Sequence, residues 1–276
     1  MPALFVFGLG YTARRIAARL RSERWVVTGT TREGRGGTIA FDDRDRVAAA
    51  MAAADAVLSS VPPEGGGDPV LAAYPPPEGK WLGYLSSTGV YGDTGGAWVD
   101  ESAPVGGGRR GARATADAAW LARGARVFRL PGIYGPGRSP LDRVRAGQAH
   151  RVEMPGQVFS RVHVDDIVAG VIAGLEAPPG AYNLADDLPC PQNAVIAFAA
   201  HLLGMPPPPI VPLASLSPAA RGFYAENRRV ANGKAKRMLC WQPAFPDYRA
   251  GLRALKATTS PAPASAAPET ASGVQR

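Results

Sequence analysis

An apolar run over residues 3–7 stops at Gly8, a second glycine follows at Gly10, and a basic helical pattern begins at Thr12. The stretch reads LFVFGLGYTARRIAARL over residues 4–20, and it constrains the fold more than any other segment. A short, wholly apolar run ended by glycine predicts a strand buried on both faces. Over residues 12–24, Ile16, Ala17 and Leu20 share one face and arginines occupy the other, which predicts an amphipathic helix. Strand, tight turn and helix in that order suit two outcomes: a plain turn, or a cradle whose backbone amides and helix N-terminus hold a pyrophosphate.

The rest of the first half repeats the same alternation. Strands are expected over residues 25–30, 38–41, 56–61, 81–86 and 126–130, and helices over 47–54 and 112–123. Proline and glycine in PPEGGGDP punctuate the chain after the fourth strand. Such alternation implies crossover units and an α/β fold: a doubly wound, mostly parallel sheet covered by helices on both faces. An opening position in such a chain favours the cradle over the plain turn. After Pro131 the texture changes. PGIYGPGRSP reads as a loop, followed by a helix over 141–149, a strand and helix within 162–175, a strand over 181–184 and a helix over 194–203. Residues 257–276, rich in Pro, Ala, Ser and Thr without periodicity, are expected to be disordered.

The end of the second strand discriminates between nicotinamide cofactors. An acid there bonds the ribose hydroxyls of NAD, whereas an arginine accommodates the 2′-phosphate of NADP. The sequence VVTGTTREGR presents Arg32, with Arg35 close by, and so favours NADP; Glu33 is the competing acid that leaves NAD open.

Four segments carry a family resemblance: GLGYTA (8–13), YLSSTGVYGD (84–93), RLPGIYGPGR (129–138) and RVHVDDIV (161–168). In order and spacing, over roughly residues 1–256, the chain resembles the extended short-chain dehydrogenase/reductases, the group similar to NAD-dependent epimerases and dehydratases. The resemblance implies a Rossmann-type nucleotide-binding core over residues 1–130. It implies a smaller C-terminal substrate domain over residues 131–256, with segments returning to the core. It also implies NADP or NAD as cofactor, with contacts from Gly8, Gly10, Tyr11, Thr12, Arg32, Ser59, Ser60, Val61, Arg113, Pro131 and Ile133. The implied substrate is a small molecule, sugar-like or nucleotide-linked.

The family's chemistry uses a Ser or Thr and a tyrosine–lysine pair spaced YxxxK. Ser87 falls on the hydroxyl position. The pair is missing: no tyrosine lies between Tyr91 and Tyr134, and no lysine between Lys80 and Lys234. Arg109 falls near the tyrosine position and Arg113 near the lysine position. Arginine stays protonated at neutral pH, so Arg109 cannot serve as a base, whereas Arg113 can still pin a ribose or phosphate. Tyr91 is the nearest alternative phenol, and Tyr134 is a candidate contact with nicotinamide or substrate. The chain is therefore expected to be an oxidoreductase or epimerase with a non-standard site, or else a non-catalytic nucleotide sensor.

The remaining signals narrow the partner class. The net charge of +8 comes from 31 basic residues, 27 of them arginine, scattered through the chain. No nucleic-acid-binding motif accompanies that charge, and an anionic small molecule is the expected partner. His163, Asp165 and Asp166 do not make a metal-ligand set, and no Cys or His cluster supports one. No segment is long and apolar enough to span a bilayer, and no basic leader precedes the first apolar run. Two cysteines, Cys190 and Cys240, make no disulfide framework. A cytoplasmic monomer or homodimer is the expectation.

Overall fold

The computed structural model describes residues 1–64, 67–108 and 111–259. In chain order the first half runs β1 (Ala3–Phe7), α1 (Tyr11–Ser22), β2 (Val26–Thr31), β3 (Ile39–Ala40), α2 (Arg44–Ala53), β4 (Ala56–Ser59), α3 (Pro69–Ala73), β5 (Trp81–Ser87), a 3-10 turn over Thr88–Tyr91, β6 (Trp98–Val99), α4 (Gly111–Leu121) and β7 (Arg126–Leu130). The second half contributes β8 (Gly132–Tyr134), α5 (Pro140–Arg145), β9 (Arg151–Val152), β10 (Arg161–His163), α6 (Val164–Ala173), β11 (Gly180–Asn183), α7 (Gln192–Leu202), β12 (Ile210–Val211), α8 (Pro218–Tyr224), β13 (Arg229–Val230), α9 (Gly233–Met238) and α10 (Tyr248–Thr259).

Seven parallel strands form the central sheet in the order β11-β7-β5-β4-β1-β2-β3. Alternate residues of each strand face opposite layers. Leu4 and Val6 of β1 meet Ile16, Ala17 and Leu20 of α1 together with Ile167, Val168 and Val171 of α6. Phe5 and Phe7 point the other way, into a layer holding Val47, Met51, Tyr84 and Trp120. Each fully buried large side chain in these layers contributes on the order of 1.5–3 kcal/mol. A third core joins α5, α7 and α10 through Leu141, Val195, Ile196, Leu252 and Leu255.

The topology positions the site. The chain leaves β1 toward β2 and β3 on one side, then crosses back to β4 on the other. At such a switch point the loops after neighbouring strands diverge and open a crevice at their C-terminal ends. Here those ends are Gly8–Gly10 after β1 and Ser60 after β4.

Two expectations change. PGIYGPGRSP is not wholly a loop, because Gly132–Tyr134 pairs in parallel with Arg161–His163. The partner strand lies some thirty residues on, so local glycine and proline gave no sign of it. The tail does not begin at residue 257: α10 continues through Thr259. Residues 260–276 lie outside the described residues. Among the described residues no helix is long and apolar enough to cross a membrane.

Candidate active site

The turn after β1 is built for close approach. Gly8 has φ +79°, and a Cβ there would lie 3.0 Å from Val61 Cγ2 and 3.2 Å from Ser60 Oγ. Only glycine enters this left-handed conformation without strain. Ser60 Oγ donates to the Gly8 carbonyl, and Gly8 N–H donates to Thr30 Oγ1 at 3.1 Å, which ties β1, β2 and β4 together at the crevice. Gly10 differs: it N-caps α1 with ordinary φ −84°, and a Cβ there meets nothing within 4 Å. No side chain caps this 12-residue helix, and its first turn carries no acid. The first-turn amides and the positive end of the helix dipole therefore face open space, as a pyrophosphate requires.

Two clefts meet at Gly10 and Ser60. One, of about 410 Å³, is lined by Gly8, Thr30, Arg32, Phe41, Val61 and Glu64. The Arg32 side chain is 88% exposed and lies 3.8 Å from Glu64, a weak, solvent-screened pairing. Glu33, the competing acid, is instead paired with Arg35 and does not line the cleft.

The other cleft, of about 590 Å³, runs from Gly10–Ala13 past Ser86–Thr88 and Arg113 to Pro131–Ile133, and on to a wall formed by later segments. Tyr11 and Thr12 line its start; the Tyr11 hydroxyl donates to the Pro136 carbonyl at 3.1 Å, and the Arg15 and Arg138 guanidinium groups lie over its ring. Ser87 ends β5, and its Oγ accepts from Gly89 N–H at 3.1 Å, capping the 3-10 turn. That bond uses an oxygen lone pair and leaves the hydroxyl proton available to an acceptor in the cleft. Arg113, from α4, donates through Nη1 to the Tyr84 hydroxyl at 2.8 Å. Burial of Tyr84 pushes its pKa up to about 12, so the phenol stays protonated near neutral pH.

A buried network fixes this floor. Arg129 Nη2 lies 2.7 Å from Asp117 Oδ1 and its Nε 3.1 Å from Oδ2, a fork-to-fork pair. Ser86 Oγ donates to Asp117 Oδ2 at 2.6 Å. Arg129 Nη1 reaches the Tyr91 hydroxyl at 3.0 Å, and that hydroxyl donates to Asn183 Oδ1 at 2.8 Å.

Of the residues expected in the site, Gly8, Gly10, Tyr11, Thr12, Arg32, Ser60, Val61, Ser87, Arg113, Pro131 and Ile133 line the two clefts. Tyr91 does not. Its hydroxyl is held between Arg129 and Asn183, burial raises its pKa, and the phenol lies off both clefts. Ser59 is fully buried in β4 and lines neither cleft. Tyr134 is also buried off the cleft, edge-on to His163. Arg109 lies outside the described residues. The residues that sequence reasoning passed over are Arg138 and a wall from α8 and the segment after it: Phe223, Glu226 and Arg228. Arg138 closes the quoted segment RLPGIYGPGR, so its position beside the glycines was open to notice.

Comparison with known proteins gives this geometry a family. No family model matches the chain. A conserved protein of unknown function from Silicibacter pomeroyi DSS is 41% identical, with a TM-score of 0.82 over 94% of this chain and 99% of that one. The chain belongs to the same family as that protein. Its fold is that of the extended short-chain dehydrogenase/reductases, in an atypical form lacking the YxxxK pair. Human epimerase family protein SDR39U1, solved with NADPH, superposes with a TM-score of 0.75 at 18% identity, covering 92% of this chain and 98% of that one. UDP-glucose 4-epimerase from Thermotoga maritima, solved with UDP-glucose, gives a TM-score of 0.72 at 14% identity, covering 94% and 100%. A 3-diazoavenalumate denitrifying reductase from a Streptomyces species is 34% identical over 138 residues. That match covers 46% of this chain and 45% of the reductase, so the chain matches less than half the length of this curated relative.

Proposed function

We propose that the protein is an NADPH-dependent reductase acting on a small, activated acceptor. The observation that carries this reading is the juxtaposition, in one cleft, of an open helix N-terminus at Gly10 with Ser87 and Arg113. When bound, a reduced nicotinamide nucleotide supplies a hydride. The uncapped amides of α1 hold its pyrophosphate, with Arg138 adding charge from the facing loop. Arg113 stands where the family's lysine would hold the nicotinamide ribose. Arg32, at the mouth of the smaller cleft, supports NADP over NAD.

The direction of reaction follows from what the side chains can do with protons. Oxidising an alcohol, the opening step for an epimerase or dehydratase of this fold, needs a base to take the hydroxyl proton. Arginines, Arg109 and Arg113, lie near the positions of the family's pair in the sequence, and a guanidinium group has no acceptor for that proton. Reduction of an acceptor that is already electron-poor makes no such demand. Ser87 donates a hydrogen bond to the acceptor as charge shifts onto it. The partial relative named as a denitrifying reductase of a diazo compound supports this choice.

Titration of the purified protein with NADPH and NADH, followed by turnover assays, tests the reading. The acceptors are aryl diazonium carboxylates, small carbonyl compounds and UDP-sugars. Ser87→Ala is expected to lower kcat by about 100-fold with NADPH affinity unchanged; undiminished turnover removes Ser87 from the chemistry. Arg32→Gln is expected to weaken NADPH by about tenfold and NADH little, the loss of one charged hydrogen bond; equal losses count against NADP. A sugar-nucleotide substrate is the second reading, favoured by the neighbour of the same fold that binds UDP-glucose. Nucleotide binding without turnover of any acceptor would identify a non-catalytic sensor. A cytoplasmic monomer or homodimer fits each of these.

A further inference from the structure

The far wall of the larger cleft carries chemistry not yet accounted for. Phe223, on α8, stacks on Phe159 with ring centroids 4.5 Å apart and planes 8° from parallel, yet remains 43% exposed. One ring face is thus covered, and the ring still presents a flat apolar surface at the cleft. Beside it, Arg228 makes both of its hydrogen bonds through Nη1, to the Gly92 carbonyl and to Glu226 Oε2. The Nε–Nη2 edge, the side of a guanidinium that grips a carboxylate with two parallel bonds, is not used by either.

This wall is anchored at several points. Gln157 Nε2 donates to the Glu226 carbonyl at 2.9 Å, Val158 N–H to Asn227 Oδ1 at 3.1 Å, and Val230 N–H to Ser160 Oγ at 2.9 Å. Arg229–Val230 also pairs with Trp98–Val99 as β13 against β6. Phe223 and Arg228 are therefore held in place before any ligand arrives.

We infer that this wall is an acceptor subsite for a planar, conjugated monocarboxylate, its ring system on Phe223 and its carboxylate on Arg228. The inference rests on the reductase reading for the source of hydride, but not for the binding itself. Charge favours an anion. Among the described residues that line the cleft, three guanidinium groups, of Arg113, Arg138 and Arg228, accompany one carboxylate, Glu226, which lies 2.9 Å from Arg228. Arg138 lies over the Tyr11 ring at the start of α1, where the cofactor's pyrophosphate belongs. With Arg138 set aside, the described lining residues carry one net positive charge, which suits a single carboxylate better than a diphosphate. Among the described residues, Val158, Phe159, Phe223 and Val230 line the far end beside Ser160, Glu226 and Arg228, and no Asn, Gln or Asp lines the cleft to read sugar hydroxyls.

Cinnamate is a suitable probe, being planar, conjugated and singly charged. Its binding to the whole protein is measured by calorimetry, with and without NADP⁺, beside its methyl ester and UDP-glucose. Cinnamate is expected to bind, with the ester weaker by about tenfold, the loss of a charged bidentate contact. Phe223→Ala is expected to weaken cinnamate by about tenfold, and Phe223→Trp to restore it, as stacking predicts. Arg228→Gln should resemble the ester, and Arg228→Lys, which keeps the charge, should recover part of the loss; thermal melts establish that each variant folds. No binding at millimolar cinnamate, equal affinity for acid and ester, an unaffected Phe223→Ala variant, or tighter binding of UDP-glucose than of cinnamate would each overturn the inference. Cinnamate binding in a protein that takes no NADPH would leave the subsite standing and remove the reductase reading instead.

Discussion

Replacing Gly10 by aspartate is expected to weaken NADPH binding by at least ~100-fold while the protein melts at its usual temperature. Position 10 separates binding from folding unusually well. Its backbone, φ −84° and ψ −163°, is open to any L-residue, and beyond its chain neighbours no described atom lies within 4 Å of the new Cβ. Aspartate is also a preferred N-cap, so its carboxylate would accept the first-turn amides of α1 and support the helix. The same carboxylate would occupy the space and the amides that a phosphate needs, and repel it. Gly8 is unsuited to this test, because φ +79° and the nearby Val61 side chain make any substitution there a folding defect. Titration by intrinsic fluorescence, with a melt on the same sample, reads both quantities. Unaltered NADPH affinity would move the pyrophosphate away from this turn and take the reductase reading with it.

The largest stability effect is expected at Asp117. It accepts from Arg129 twice and from Ser86, and neither charged side chain is more than 3% exposed. Asp117→Ala strands a buried guanidinium, a loss of roughly 3–5 kcal/mol. For a chain of this size that lowers the melting temperature by about 10 °C. The double substitution Asp117→Leu with Arg129→Met removes both charges and is expected to recover most of the loss, since the attraction mainly offsets desolvation. A single variant that melts within a degree or two of the parent would contradict the burial and geometry of the pair. The network also carries the Tyr91 hydroxyl, so the single variant is expected to loosen the 3-10 turn that Ser87 caps.

What the sequence made legible, and what it hid, follows from the range of the interactions involved. The strands at 3–7 and 56–59 are apolar over nearly their full length because they are buried on both faces, and that signal is local. The strands at 98–99, 132–134 and 229–230 are two or three residues long and owe their existence to partners elsewhere in the chain. No periodicity can emerge over so few positions. Helix α10 is a different case: Tyr248, Leu252 and Leu255 recur at helical spacing and all are buried, so its signal was present in the chain.

Within the site, one residue of register decides between neighbours. Ser59 still belongs to β4 and turns into the interior, while Ser60, just past the strand, reaches both clefts. Tyr91 lies four residues beyond Ser87, but the intervening 3-10 turn carries its hydroxyl back to Asn183, which is 92 positions away in the chain. Phe223, Glu226 and Arg228 come to the cleft from more than 80 residues beyond the glycine- and proline-rich loop at 131–140. Only the packed chain reveals them as neighbours of Ser87.

The outermost strand of the large sheet has a consequence for how this molecule can be handled. β11 lies against β7, yet it is drawn from residues 180–183, some fifty residues past the end of β7. A fragment ending near residue 130 would keep its glycine turn but expose the naked backbone of β7, whose Val127 and Phe128 are wholly interior. Such an unprotected margin recruits other strands and drives aggregation. The two halves are thus expected to fold together, and the first half expressed alone is expected to aggregate.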